Sequence, residues 1–579
     1  MGTGMVEHLK NVISVARRER PAELLLTGGR LVNVFTREIT AANVAVQGGV
    51  IAGIGEQYSA ALQEIDAAGR FLIPGLIDAH LHIESSLLLP WELARAALRH
   101  GTTAVIADPH EIANVLGTTG VEFMLAASEG LPLDFFFTIP SCVPATAMET
   151  AGAGIDAAQT AALLRCPRVV GLAEMMNYPG VLSADEAVLC KMAAARAGDQ
   201  VLDGHAPGLT GADLQAYLSS GISTDHECIN GSEVIEKIRN GMKVIIRQGS
   251  AAQNLAALLP AVAQLGSSRF MLGSDDREAA DLLENGHMNA ILRQAAALGG
   301  DPLSAVQMAT LNTALHYRLP YRGALAPGYR ADLVMVDDLR RFNALLVVKD
   351  GRVVAREGKL TAAFELPAPA DRARRSVRLA RPVRPEDFSF EAGPAPFPVI
   401  GVVPNQIITQ KLFLEPTRSA GGAVVADPKR DLLKLAVVER HRNSGRFGLG
   451  LVKGLGLKEG AIASSVSHDS HNLIVAGVEE QALAAAVNAL AEMEGGFVVV
   501  NGAGETLASL PLPVAGLMSL EPAETVAAAV KQVTAAAYLL GAKPVQPFLT
   551  LSFLALPVIP HLKLTDRGLV DVDTFRFLE

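Results

Sequence analysis

Residues 71–82 read FLIPGLIDAHLH, an apolar run that closes on two histidines one residue apart. Seven further runs of the same build follow: TAVIADPH (103–110), DFFFTIPS (134–141), VVGLAEMM (169–176), QVLDGHAP (200–207), GISTDHEC (221–228), KVIIRQGS (243–250) and FMLGSDD (270–276). Each is short and apolar, ends in polar or charged residues, and gives way to an Ala/Leu-rich stretch of helical character. Eight strand–helix repeats predict a (β/α)8 barrel, in which reactive groups sit at the C-terminal ends of the strands. Nearly every run here ends in residues able to do chemistry.

The barrel text is flanked by a different grammar. Leu24 to Glu56 alternates short apolar stretches with Gly-Gly pairs, as the hairpins of a small antiparallel sheet do, and Ala331 to Leu360 repeats the pattern. After Ala370 come basic residues, in DRARRSVRLARPVR, and prolines at 382, 385, 394, 396, 398 and 404, which read as a connector. The remainder mixes strands such as GFVVVNGA with helices such as EEQALAAAVNALAEME. The expected division is 1–70 and 321–370 for a composite β domain, 71–320 for the catalytic barrel, 371–398 for a linker and 399–579 for a C-terminal α+β domain.

Composition narrows the function classes. Half of the 579 residues are apolar and 19% are charged, which excludes a disordered or fibrous chain. A net charge of −10 without blocks of one sign leaves no footprint for nucleic acid or anionic lipid. Four cysteines, Cys142, Cys166, Cys190 and Cys228, without CxxC spacing fit a reducing cytoplasm rather than a disulfide scaffold. No run approaches the 18 apolar residues of a membrane span, and the N-terminus has no signal-peptide core. A cytoplasmic homo-oligomer is expected.

His80 and His82 point to the same face of a strand and can share one cation. Glu174 interrupts an otherwise apolar strand, His205 and His226 end the fifth and sixth runs, and Asp275 ends the eighth. Any one of these reads as an ordinary paired or capping residue. Four histidines and two carboxylates on strand ends of one barrel instead converge on a single mouth, as a metal centre requires. An all N/O donor set suits Zn, Mn or Fe(II).

This arrangement resembles the amidohydrolase superfamily. Within it, the chain is most similar to adenine deaminases of the bacterial type, through DAHLHIESS, ADPHEIANVLG, GLAEMMNYPGV, DGHAPGL, STDHE and, in the tail, HRNSGRFGLGLVKG, SSVSHDSHN and KLTDRGLVDV. The resemblance implies two divalent ions, Mn or Fe(II) ahead of Zn. One would be held by His80, His82, Glu174 and Asp275, the other by Glu174, His205 and His226, with Glu174 as the bridge. VVGLAEMM offers no lysine, which separates the chain from relatives that bridge through a carboxylated lysine. The implied reaction is attack of metal-activated hydroxide on C6 of adenine, giving hypoxanthine and ammonia in purine salvage. Asp275 would be the general base and Asp276 the alternative proton carrier.

Asp108, His110 and Glu111 follow the second run, either as a helix N-terminal cap or as purine-binding or metal-contacting groups. Arg247 and Ser250 are further candidates for substrate binding; Gln248 stands where the family often has Glu, so it carries less of the resemblance than Arg247. His287 reads as an ordinary loop histidine. His468, Asp469 and His471 in the tail have metal-like spacing but read as structural, packing the tail against the barrel mouth. Another purine, a pterin or a cyclic amide is the alternative substrate, and a non-catalytic barrel used for binding is the reading from another class.

Overall fold

The computed structural model describes residues 2–250, 252–361, 371–391, 393, 396–404 and 406–578. Strands Ala22–Asn33, Glu38–Gln47 and Val50–Ile54 form an antiparallel meander. Phe71–Pro74 joins it in parallel with the first strand and pairs on its other side with Leu333–Val336, Pro74 opposite Leu333. Ala344–Lys349, Arg352–Arg356 and Lys359–Leu360 extend the sheet. It is thus woven from both flanks of the barrel. The N-terminal helix Gly2–Ala16, which the sequence reading did not anticipate, buries Val15 in a cluster with Leu25 and Ala45 of this sheet.

The run 71–82 was expected as one strand, and the structure makes it two. Phe71–Pro74 belongs to the composite sheet and Leu76–Leu81 to the barrel, with Gly75 between them. A Cβ on Gly75 would stand 2.2 Å from the Oγ1 of Thr103, so a side chain at this junction would displace the next barrel strand.

The barrel strands are β1 (Leu76–Leu81), β2 (Thr102–Ala107), β3 (Asp134–Ile139), β4 (Val169–Met175), β5 (Val201–Gly204), β6 (Thr224–Asp225), β7 (Lys243–Arg247) and β8 (Phe270–Gly273). They run parallel, β1 to β5 in one ladder and β6 to β8 in another. One seam closes where Leu81 bridges Asp275 and the Asp275 N–H donates to the His80 carbonyl at 2.9 Å. At the other, Ser223 N–H donates to Leu202 O at 3.0 Å. Nearly continuous burial along β1, β2 and β4 explains their unbroken apolar text.

Beneath the ends of β5 and β6 lies a charged strut. Lys237, with no exposed surface, donates to the Ala206 carbonyl at 2.7 Å, to Asp225 at 3.0 Å and to Glu233 at 2.7 Å. Asp225 in turn accepts the Ala206 N–H at 2.8 Å. One ammonium therefore ties the segments that carry His205 and His226.

The C-terminal part is an eight-stranded sheet running from Thr409–Leu414 at one edge to Thr506–Pro511 at the other. Helix Glu480–Glu492 packs on one face together with Val383 and Phe388 from the proline-rich stretch, so that stretch lies against the sheet. A ribbon of Leu562–Thr565 and Gly568–Asp571 reaches the barrel. There Asp566 accepts the Thr150 N–H at 2.8 Å, Thr565 donates to the Met148 carbonyl at 2.7 Å, and Asn472 donates to the Thr150 carbonyl at 2.9 Å. These bonds fasten the segment after β3 to the tail. Among the described residues no helix is long and apolar enough to cross a membrane.

Replacing Lys237 with Met strands two buried carboxylates, and is expected to lower stability by about 3–5 kcal/mol in denaturant unfolding, with Lys237→Arg milder. Glu149, in the fastened segment, is pushed up to about 8 by burial and by the nearby charge of Asp469. Its contribution is present below about pH 4.5, where it is protonated folded or unfolded, and is lost as pH rises through 8. Glu149→Gln should therefore be more stable than the parent to denaturant at pH 9, by up to about 5 kcal/mol, with the difference shrinking toward pH 5.

Candidate metal centre

Glu174 lies near the end of β4 with four per cent of its surface exposed, and five imidazoles crowd its carboxylate. Oε2 is 2.6 Å from His205 Nδ1 and 3.1 Å from His226 Nε2. Oε1 is 3.5 Å from His82 Nε2, 3.6 Å from His110 Nδ1 and 3.8 Å from His80 Nε2. Asp275 faces the same point from β8, its Oδ1 3.2 Å from His82 Nε2 and 3.7 Å from His80 Nε2. All six residues expected as ligands are thus gathered in one buried cluster.

Ring orientation follows from the backbone. His82 Nδ1 is 3.0 Å from the carbonyl of Asp108, which can only accept. Nδ1 therefore carries a proton and Nε2 is the nitrogen turned toward the carboxylates, where, against burial, Asp275 and Glu174 hold the ring's pKa well above its usual value; this is the arrangement in which a ligating histidine is oriented from behind. His80 Nε2 is buried with no hydrogen-bond partner, and burial, followed by the neighbouring His226 and His82, pushes its pKa down to about 3. A neutral, unpartnered imidazole is the form that binds a cation. Burial alone would raise the Glu174 carboxyl, but His226 and His205 outweigh it and hold it well below the usual range.

Asp275 adopts φ 56°, a left-handed conformation that Asp tolerates better than most residues but that still costs on the order of 1 kcal/mol. Its Oδ2 accepts from Arg247 at 2.9 Å. The rest of Arg247 is also committed: Nε donates to Asn254 at 3.0 Å, and the guanidinium forks onto Glu227, Nη2 to Oε2 at 2.7 Å. Arg247, expected to bind substrate, lines the cavity but spends its donors on two carboxylates. Gly249 brings the end of β7 against β8; a Cβ there would meet the carbonyls of Ser274 and Asp276 at 2.3 and 2.4 Å.

The other candidates divide. Asp276 and Glu111 line the cavity and share the Ser85 hydroxyl, at 2.5 and 2.8 Å. One hydroxyl supplies one proton, so the second contact needs a proton on Glu111 or Asp276. Both carboxyls are shifted up, Asp276 by burial and then Asp275, Glu111 to about 8 by burial and then Glu84. Asp108 is buried behind His110, with Oδ2 3.3 Å from His110 Nδ1. Glu111 does stand in the first turn of helix His110–Leu116, but the residue before the helix is Pro109, and the first-turn N–H of Ile112 is accepted by Glu84 at 3.1 Å rather than by Asp108. Ligand atoms of His82, Asp108, His110 and Glu174 lie within 4.8 Å of one another, so a metal contact by His110 is geometrically open. Ser250 stands apart, its hydroxyl donating to Asp281 at 2.8 Å on the wall of a wider groove. His287 lies in the bend between helices Ala279–Asn285 and Met288–Ala297, as expected, but is buried, with Nε2 3.0 Å from Asp78 and Nδ1 2.9 Å from the Thr102 hydroxyl.

Several groups at the site escaped the sequence reading. Glu227, directly after His226, orients Arg247 and stands 3.5 Å from His205 Nδ1. The tail supplies a ceiling of Ile407, Phe553, Leu556 and Ile559, with the His468 ring stacked on Phe553 at 4.4 Å, and adds Asp469. The cavity beneath is about 50 Å³ and opens beside a groove of about 1230 Å³ lined by both barrel and tail, with which it shares Glu227, Arg247, Ile407 and Phe553. His468 and Asp469, expected as packing residues, thus also form part of the site's wall.

Comparison with known proteins agrees with this geometry. The sequence profile of the amidohydrolase family matches residues 71–354 and that of the adenine deaminase C-terminal domain residues 406–576. The adenine deaminase of Desulfatibacillum aliphaticivorans is 48% identical, over 98% of this chain and 98% of its own. That of Methanothrix thermoacetophila is also 48% identical over 98% of each chain, and that of Nitratidesulfovibrio vulgaris strain Hildenborough 47% over 98% of each. With both profiles matched and relatives aligned along nearly the whole length, the chain belongs to the adenine deaminase family of metal-dependent amidohydrolases.

Proposed function

We propose that this protein deaminates adenine hydrolytically to hypoxanthine and ammonia, at two divalent ions held by His80, His82, Glu174 and Asp275 and by Glu174, His205 and His226. The observation that carries the reading is the single carboxylate of Glu174 facing His80 and His82 with one oxygen and His205 and His226 with the other. The donors fit cations: His80 Nε2 is buried and unpartnered, Asp275 closes the same cluster, and no thiolate intrudes. The donor set suits Zn, Mn or Fe(II) alike, and the resemblance to adenine deaminases puts Mn or Fe(II) ahead of Zn. Divalent ions held there supply the Lewis acidity that makes water a nucleophile at neutral pH.

The chain's own groups do the rest. Asp275, aligned by Arg247, takes the proton from water and returns it toward the leaving amine. Asp276 and Glu111, with the proton that the Ser85 contacts require, are the second source of acid. The ceiling of Ile407, Phe553 and Ile559 covers the base and limits access of water. The same reading assigns catalysis to the barrel of residues 71–320, except that Phe71–Pro74 joins the composite sheet of the flanking segments, and the covering role to the C-terminal domain, whose sheet takes in Phe397–Val402. It takes the protein as a cytoplasmic homo-oligomer in purine salvage.

Ammonia release from adenine, adenosine, guanine and cytosine by the metal-loaded protein tests the assignment. Adenine should be turned over and adenosine hardly at all, because a ribose at N9 removes a donor and must enter a small cavity, a loss of about 10⁴-fold in sites that read such groups. Comparable rates on both would refute the substrate, while release only from another cyclic amidine would keep the hydrolase and change its substrate. Glu174→Gln should retain the fold, lose bound metal and drop turnover by at least about 100-fold; full activity with two ions bound would remove Glu174 from the bridge.

A further inference from the structure

The tail residue Asp469 is buried, two per cent exposed, in the loop between strands Ala461–Ser464 and Leu473–Gly477. The loop is rigid in its contacts. Every residue from Ser465 to Asn472 is buried, the Ser470 carbonyl meets His441 at 2.7 Å, the His468 N–H donates to Ser552 at 3.2 Å, and Asn472 donates to Thr150 across the interface. A carboxylate held there without solvent is costly unless it is paired. Its Oδ2 has no hydrogen-bond partner, and its Oδ1 stands 3.8 Å from His110 Nε2 in the barrel and 3.8 Å from His468 Nδ1 in its own loop.

His110 in turn faces Asp108 with its other nitrogen at 3.3 Å and approaches Glu174 at 3.6 Å. Its ring is therefore bracketed by a carboxylate from the barrel and one from the tail, and both His110 and Asp469 line the cavity over the metal-ligand cluster. Asp108 and Glu174 both address Nδ1 and the His82 ring packs edge-on at 4.5 Å, so Asp469 is the barrel-facing carboxylate beside Nε2, and at 3.8 Å it acts on the ring through its charge.

We propose that Asp469 is a positioning residue for deamination: the tail fixes the His110 ring against the reaction cavity, so the C-terminal domain completes the site as well as covering it. This rests on the deamination reading above, and the test separates the two. In the full-length, metal-loaded protein, Asp469→Asn should lower kcat for adenine by about 10- to 100-fold, the range seen when an orienting partner is removed, with KM, metal content and Tm near those of the parent. His110→Asn should lose at least as much, and the double variant no more than His110→Asn alone. Losses that multiply in the double variant, a loss confined to KM, or parent-level kcat in Asp469→Asn would each overturn the proposal. A crystal structure of Asp469→Ala gives a readout independent of turnover: the His110 ring should rotate away from its present plane, and an unmoved ring would refute the positioning role. A parent protein inactive on adenine would refute the deamination reading, and with it the catalytic half of this one, whatever the ring does.

Discussion

The site depends on one ionised carboxylate, Glu174, in a place with almost no water. Burial opposes its charge, and only the histidines around it make that charge tolerable. Those histidines gain a reason to converge that no apolar core would give them. The backbone beneath is fixed correspondingly firmly: the Ser141 hydroxyl donates to the Glu174 carbonyl at 2.5 Å, and Tyr217 donates to the Met175 carbonyl at 2.9 Å while accepting the His205 N–H at 3.0 Å. A ligand cluster whose charges balance only in one geometry needs this kind of support.

That support is arranged in circles of decreasing charge. Inside are the six clustered residues proposed as ligands; around them Arg247, Glu227, Asp108 and Lys237 hold ring planes and strand ends through hydrogen bonds, that of Asp108 to the His82 ring coming from its backbone carbonyl. Outside, the tail closes the cavity with apolar side chains. Because β8 meets β1 through Leu81 and Asp275, the seam that closes the barrel is also the seam that joins the HxH pair to the carboxylate opposite it. Closing the fold and assembling the site are one event there.

Strand ends made most of the inner circle legible. His80, His82, His205, His226 and Asp275 stand at the ends of apolar runs and Glu174 is the one charge inside such a run, and barrel geometry turns those positions into proximity. Glu227 was visible in STDHE as the residue after a ligand, but its partner Arg247 lies on the next strand, and no local pattern reports a pairing between strands. The tail's share was harder still: Phe553, Ile407 and Asp469 come to the site through contacts hundreds of residues apart, and SSVSHDSHN has the composition of a turn. The first run misled for a definite reason. Apolar text on both sides of Gly75 reads as continuous, and the change of sheet is carried by one glycine squeezed against Thr103. Ser250 sits at a strand end too, but the turn at Gly249 aims its hydroxyl at Asp281.

The composite sheet imposes an order on the life of the chain. Strand Phe71–Pro74 is made early, yet its antiparallel neighbour is Leu333–Val336, about 260 residues later. At 5–20 residues per second on the ribosome, that edge stays open for roughly 13–50 s while the whole barrel is synthesised between its two halves. Nascent chain therefore carries an unpaired apolar edge through nearly half of its synthesis, the condition under which strands find wrong partners, and the demand on cellular holding factors is set by the topology that lets two flanks of one barrel share a sheet.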